Sequence, residues 1–158
     1  MKNYFKIRQE IPSDYEEVCV LVKVSFATNS GDDGTTHEYL NENRKIIGQI
    51  VLYKMLIKTE NKNITELLLS PIFVHPEYFR KGIARSLINE SFKIAIKKGY
   101  KAVYLCGDPK IYRKFGFKPT FEYKIFHISD LDKNAEWCMV FELVKDTLNG
   151  IMGTVNIV

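Results

Sequence analysis

Two long apolar segments constrain this chain more than anything else in it. Ile46 to Ile57 and Ile64 to Val74 are β-branched and aliphatic, and the polar stretch Thr59 to Asn63 separates them. Their length and spacing predict an antiparallel hairpin of two long strands. Both are too apolar for a sheet with one wet face, so something must cover each face. Pro71 interrupts the second segment. It has no N–H for a ladder, so the strand must bulge there or lose its neighbour. Backbone groups of Ile72, Phe73 and Val74 are then expected to face a ligand instead of a partner strand.

The same segment runs through His75 and Pro76 into a basic turn, Phe79-Arg80-Lys81-Gly82-Ile83-Ala84, and directly into a helix. That is the wiring of an anion site. The first N–H groups of a helix lack intrahelical partners and carry a partial positive charge. Gly82 permits close approach of the backbone, while Arg80, Lys81 and Arg85 add charge. A diphosphate suits such a place. The helix repeats apolar residues at Ile83, Ala84, Leu87, Ile88, Phe92, Ala95 and Ile96 and closes at Lys97, Lys98 and Gly99. Ala102 to Cys106 then reads as a short buried strand, and strand, helix, strand implies a parallel pair with a right-handed crossover.

A second compact signature follows from Gly107 to Phe117. Asp108 fits an N-cap, Pro109 the first helical position and Gly116 the residue past the end, which specifies a two-turn helix at both termini. Elsewhere, Tyr4 to Arg8 reads as a first strand. Ser13 and Glu16 stand at capping-box spacing before a helix bearing Val18, Leu21, Val22 and Phe26. Thr28 to Thr36 reads as an exposed loop, and Thr35 with Glu38 predicts a short second helix. Phe121 to Ile128 and Glu136 to Leu143 read as two strands paired antiparallel to each other. Gly150 to Val158 is open between an added strand and a tail; its apolar residues Ile151, Met152, Val155, Ile157 and Val158 would finish the sheet or pair with a second chain.

At 158 residues with 46% hydrophobic content the chain can bury one proper core, and residues 1–158 are expected to form a single domain. The apolar runs are far shorter than a membrane span, and the N-terminus lacks the apolar core of a signal peptide. A cytoplasmic protein is expected, with no membrane partner. Three cysteines, Cys19, Cys106 and Cys138, form an odd set without metal-like spacing, which suits a reducing compartment and implies no metal. Cys106 reads as a core residue and His75 as a turn residue. A net charge of +4 accommodates an anionic ligand but is too modest for a nucleic-acid binder.

The succession from Leu67 to Phe117 resembles the GNAT superfamily of acyl-CoA-dependent N-acyltransferases, and Gly-Asp-Pro before the tyrosine helix is most similar to the small, uncharacterised bacterial branch. The family's phosphate turn, Gln/Arg-x-x-Gly-x-Gly/Ala, falls on Phe79 to Ala84. Its tyrosine motif, Y-x-K-x-G-F, falls on Tyr112 to Phe117. The first turn slot departs from the pattern, being Phe79, whose backbone N–H is expected to serve with Arg80 beside it. The resemblance implies an α+β fold: a mixed, mostly antiparallel central sheet, splayed beside a bulge near Pro71, with helices on both faces.

It also implies transfer of an acetyl group from acetyl-CoA, as co-substrate, to the primary amine of a small molecule or protein. In that reading Ile72, Phe73, Val74, Phe79, Arg80, Lys81, Gly82, Ile83, Ala84 and Arg85 bind the cofactor, with a backbone N–H near Val74 polarising the carbonyl. Tyr112 protonates the departing thiolate, since a phenol of ordinary pKa about 10 is a competent donor at neutral pH. Glu66, on the cofactor strand, is the candidate base, with Glu38 and His37 as others. The competing expectation is a non-catalytic acyl-CoA-binding module on the same fold. A homodimer remains open.

Overall fold

The computed structural model of the chain describes residues 6–26, 38–40 and 45–157. The loop expected between Thr28 and Thr36, with His37 and the acidic residues Asp32 and Asp33, lies outside them. The chain divides into two compact units, each discontinuous in sequence: Met1–Leu52 with Ser70–Lys93, and Tyr53–Leu69 with Ile94–Val158.

In the first unit, strand β1 (Lys6–Arg8) pairs antiparallel with β2 (Glu38–Leu40), which pairs antiparallel with the start of β3 (Ile46–Thr59) through Glu38–Gln49 and Tyr39–Gly48. Glu38 therefore begins no helix. Pairing on both sides of β2 overrides the local capping pattern, because sheet neighbours satisfy backbone groups that a cap would otherwise claim. Helix α1 (Tyr15–Phe26) follows a 3-10 turn at Pro12–Asp14. Asp14, one residue after the expected Ser13, is the acceptor there: its carboxylate takes the Ile11 N–H at 2.8 Å and an Arg8 guanidinium N–H at 2.8 Å. Val18 and Leu21 of α1 bury with Ile46.

Strand β4 (Asn63–Val74) and helix α2 (Ile83–Lys97) frame the rest of this unit. The closest approach is at Gly48. A Cβ there would stand 3.0 Å from Ile83 Cγ2, 3.2 Å from Leu87 Cδ1 and 3.2 Å from the Phe73 carbonyl oxygen. A side chain at position 48 would thus push on the first turns of α2 and on β4 together, so the glycine lets both sit tight on β3. Ile83, Leu87, Ile88 and Phe92 are buried, as the helical period requires.

In the second unit, the β3–β4 turn is closed by Thr59, whose N–H reaches the Lys62 carbonyl at 3.1 Å. Strand β5 (Ala102–Cys106) lies parallel to β4 through Leu67–Val103 and Leu68–Tyr104, and the register ends there, before the cis Ser70–Pro71 peptide. Antiparallel to β5 runs β8 (Cys138–Glu142), which also takes the two-residue β6 (Lys118–Pro119). The sheet is mixed and mostly antiparallel, an α+β arrangement as expected.

The tail corrects one expectation and settles another. Thr120–Tyr123 forms a 3-10 turn ended by left-handed Lys124, and only Ile125–His127 remains extended, as β7. It pairs not with β8 but in parallel with β9 (Gly153–Val155), which also pairs antiparallel with β3 at Ile57–Val155. The reversal at Lys124 turns the chain away from β8. The C-terminal segment is thus an added strand, and Val155 joins Met55, Ile57, Tyr104, Ile125 and Val140 in the core of this unit. Among the described residues no helix is long and apolar enough to cross a membrane.

Candidate active site

The anion turn is built by backbone. Pro76–Tyr78 forms a 3-10 turn, Arg80 adopts φ 60°, Gly82 adopts φ 81°, and α2 begins at Ile83. Two left-handed residues thus stand within the three that precede Ile83. A Cβ at Gly82 would meet nothing within 4 Å, so this glycine answers to its φ and not to crowding. The first α2 hydrogen bond, Ser86 N–H to the Gly82 carbonyl at 3.0 Å, leaves the preceding N–H groups without partners inside the helix.

The side chains there behave differently from the backbone. Arg80, Lys81 and Arg85 are exposed. Lys81 turns its ammonium over the Tyr78 ring, 4.7 Å from the centroid. Phe79 is half exposed, and its N–H, expected to face the ligand, is spent on the Pro76 carbonyl at 3.1 Å. The 3-10 turn consumes that donor before an anion could. His75 is a turn residue, as expected: its Nδ1 accepts the Glu77 N–H at 3.3 Å, and its own N–H reaches the Ile47 carbonyl at 2.8 Å. Of the residues expected to pair with a ligand at the end of β4, Phe73 is buried, and Phe73 and Val74 both already hold partners within the protein.

In the second unit, the tyrosine helix is built by side chains. Helix α3 (Pro109–Tyr112) continues as a 3-10 turn through Phe115, with Asp108 accepting the Lys110 N–H at 2.8 Å and Gly116 ending it at φ 93°. Both termini are as the sequence specifies. Tyr112 is clamped. Its ring meets Phe117 edge-on at 5.9 Å between centroids, and a Cβ at Gly107 would lie 2.4 Å from its Cε2. Phe117 is in turn held by Phe141 at 5.7 Å. Burial raises the Tyr112 pKa above the ordinary phenol value, because the low-dielectric surroundings disfavour the phenolate. The group is a retained proton on a fixed arm.

Glu66 is also in this unit, but not beside Tyr112. It is buried, and its Oε2 accepts the N–H groups of Lys101 at 2.9 Å and Ala102 at 3.0 Å. It braces the start of β5, whereas Tyr112 packs on Gly107 just past that strand's end. Five residues of extended chain separate the two ends by about 16 Å. An acid and a base acting on one tetrahedral centre need to stand within a few ångströms of it. The Glu66 carboxylate therefore braces the start of β5. Strand assignment alone could not reveal this, since the partners lie 35 and 36 residues away.

The sequence reading missed Gly48, and it missed the packing role of Gly107 against Tyr112. Gly48 matters only through neighbours from elsewhere in the chain.

A sheet carrying a left-handed anion turn at a helix start, followed by a capped tyrosine helix, defines an acyltransferase-type architecture. The family model described as an acetyltransferase (GNAT) domain matches residues 6–120, and the chain belongs to this family. It is 27% identical over 165 residues to the uncharacterised N-acetyltransferase YhbS of Escherichia coli K12, spanning 94% of this chain and 93% of that protein. The crystal structure of E. coli YhbS in complex with CoA matches with a TM-score of 0.78 at 22% identity, covering 98% of this chain and 88% of that one. A GNAT family acetyltransferase from Brucella melitensis, in complex with acetyl-CoA, matches with a TM-score of 0.70 at 19% identity, covering 98% and 96%.

Proposed function

We propose that the protein transfers the acetyl group of acetyl-CoA to a primary amine by direct attack within a ternary complex. The observation that carries this reading is the turn from Arg80 to Ala84, where φ of 60° and 81° at Arg80 and Gly82 heads a helix. It suits a diphosphate, and the relatives described with CoA and acetyl-CoA support that ligand. Open space at Gly82 admits it. Arg80, Lys81 and Arg85 add long-range attraction, with Ile83 and Ala84 supplying first-turn N–H groups.

Tyr112 acts as the acid. The amine nitrogen attacks the thioester carbonyl, the C–S bond breaks, and the phenolic proton passes to the thiolate while the amine proton leaves to solvent. A phenol held protonated by burial is fitted to that step and unfitted to act as a base at neutral pH. Nothing in the reading depends on Ile72, Phe73 or Val74 offering an unpaired group, nor on Phe79, nor on Glu66 as base. The protein is proposed to act in the cytoplasm.

Calorimetric titration with acetyl-CoA and with CoA tests the cradle. Micromolar binding, about −8 kcal/mol, supports it, and absence of binding to both rejects it. Thiol release on adding amines then separates an enzyme from a module that only binds.

A further inference from the structure

Cys106 and Cys138 lie 32 positions apart, yet they form the last matched pair of β5 and β8. The next position along is bonded, Gly107 N–H to the Trp137 carbonyl at 2.9 Å, and the Cys138 N–H is directed to Ala135 at 3.3 Å instead of to Cys106. Bonded and non-bonded pairs alternate in an antiparallel ladder, so Cys106 and Cys138 occupy a non-bonded pair. There the Cα atoms stand about 4.5 Å apart and the side chains project from the same face. That span lies inside the range a disulfide accepts.

The two thiols differ in access: Cys106 is exposed, whereas Cys138 is fully buried. They also share a hydrogen bond. Hydrogen bonding with Cys106, reinforced by Thr120, holds the Cys138 thiol below its usual value against the opposing effect of burial, and Cys106 is pushed up by the same bond.

We propose that Cys106 and Cys138 form a reversible thiol–disulfide site, in which exposed Cys106 meets a low-molecular-weight disulfide and buried Cys138 closes the internal bond. Solvent takes the Cys106 proton, and the Cys106 thiolate attacks one sulfur of the small disulfide. The S–S bond of that molecule breaks and a small thiolate leaves, taking the Cys138 proton. The Cys138 thiolate then attacks the Cys106 sulfur of the mixed disulfide, forms the Cys106–Cys138 bond and expels the second small thiolate, which is protonated by solvent. Two protein thiols are oxidised and one disulfide is reduced to two thiols. Exposure of the attacked sulfur makes the bond a labile one, open to reduction by the same pool of thiols.

The test equilibrates the full chain in mixtures of reduced and oxidised glutathione. Titratable thiols should fall from three to one, the intact mass should drop by two hydrogen atoms, and peptide mapping should join Cys106 to Cys138, all reversed by dithiothreitol. Cys138→Ser should keep glutathione on Cys106, whereas Cys106→Ser should take none on Cys138. Should a serine variant fail to fold, the mapping of the unaltered chain decides alone. Three free thiols in excess oxidised glutathione, a stable glutathione adduct on Cys106 without an internal bond, or a link through Cys19 would each overturn the proposal.

Discussion

The anion turn and the tyrosine helix place chemistry in opposite ways. In the turn the groups proposed to bind are backbone N–H donors beside two left-handed residues, and the side chains are exposed or directed elsewhere, as Lys81 is onto Tyr78. In the tyrosine helix the proposed group is one side chain, whose ring is packed by Gly107 and Phe117, with Phe141 behind Phe117. A site made of backbone tolerates exchange of side chains so long as φ is kept. A site made of one side chain tolerates changes of neither that group nor its walls.

Four substitutions sharpen the contrast. Tyr112→Phe removes only the proton donor and should lower turnover roughly 100-fold or more while leaving the affinity for CoA within a few-fold; steady-state kinetics beside calorimetry checks it, and unchanged turnover would sink the acid assignment. The same acid predicts a pH profile. Since burial raises the Tyr112 pKa, the protonated, active form should persist through and past pH ~10, with no loss of rate from this group below that point. Its stabilising effect has the same sign, present below the unfolded value and lost as pH climbs through the folded one.

Gly82→Glu should come next. It forces a left-handed φ on a residue with a Cβ, at about 1–2 kcal/mol, and adds a negative charge at the anion turn. CoA affinity should fall by roughly tenfold to a hundredfold, and retained affinity would place the ligand elsewhere. Gly107→Ala drives a methyl group against the Tyr112 ring and should destabilise the fold by about 1–3 kcal/mol, measurable in urea, with turnover lowered because the ring is displaced. Smallest of all, Phe79→Ala should change CoA affinity no more than about twofold, since that N–H is committed to Pro76 whatever the side chain; a large loss would show that the ring itself holds the ligand.

The features legible in the sequence share one property: their cause is local. Gly82 before a helical period, Asp108-Pro109 at one end of α3 and Gly116 at the other announce themselves within a few residues. What escaped depends on distant chain. Glu66 looked available until its carboxylate met Lys101 and Ala102. Residues 38–40 carry a helix-start pattern but become a strand because β1 and β3 flank them. Phe121 to Ile128 alternates like one strand, yet a left-handed Lys124 divides it. Cys106 and Cys138 look unpaired because register, not spacing, joins them.

The interleaving of the two units has a consequence for synthesis. Every segment of the first unit has been made once Lys93 has been added, whereas the second needs Val155, whose strand pairs with both β3 and β7. At translation rates of about 5–20 residues per second, the half of β3 that belongs to the second unit waits roughly 3–12 s for β9. During that interval apolar strand edges are bare on a nascent chain, and this is the window in which a chaperone would find most to hold. Protease digestion of chains stalled just after Lys93 and just after Val155 should show the first unit protected in both and the second only in the longer.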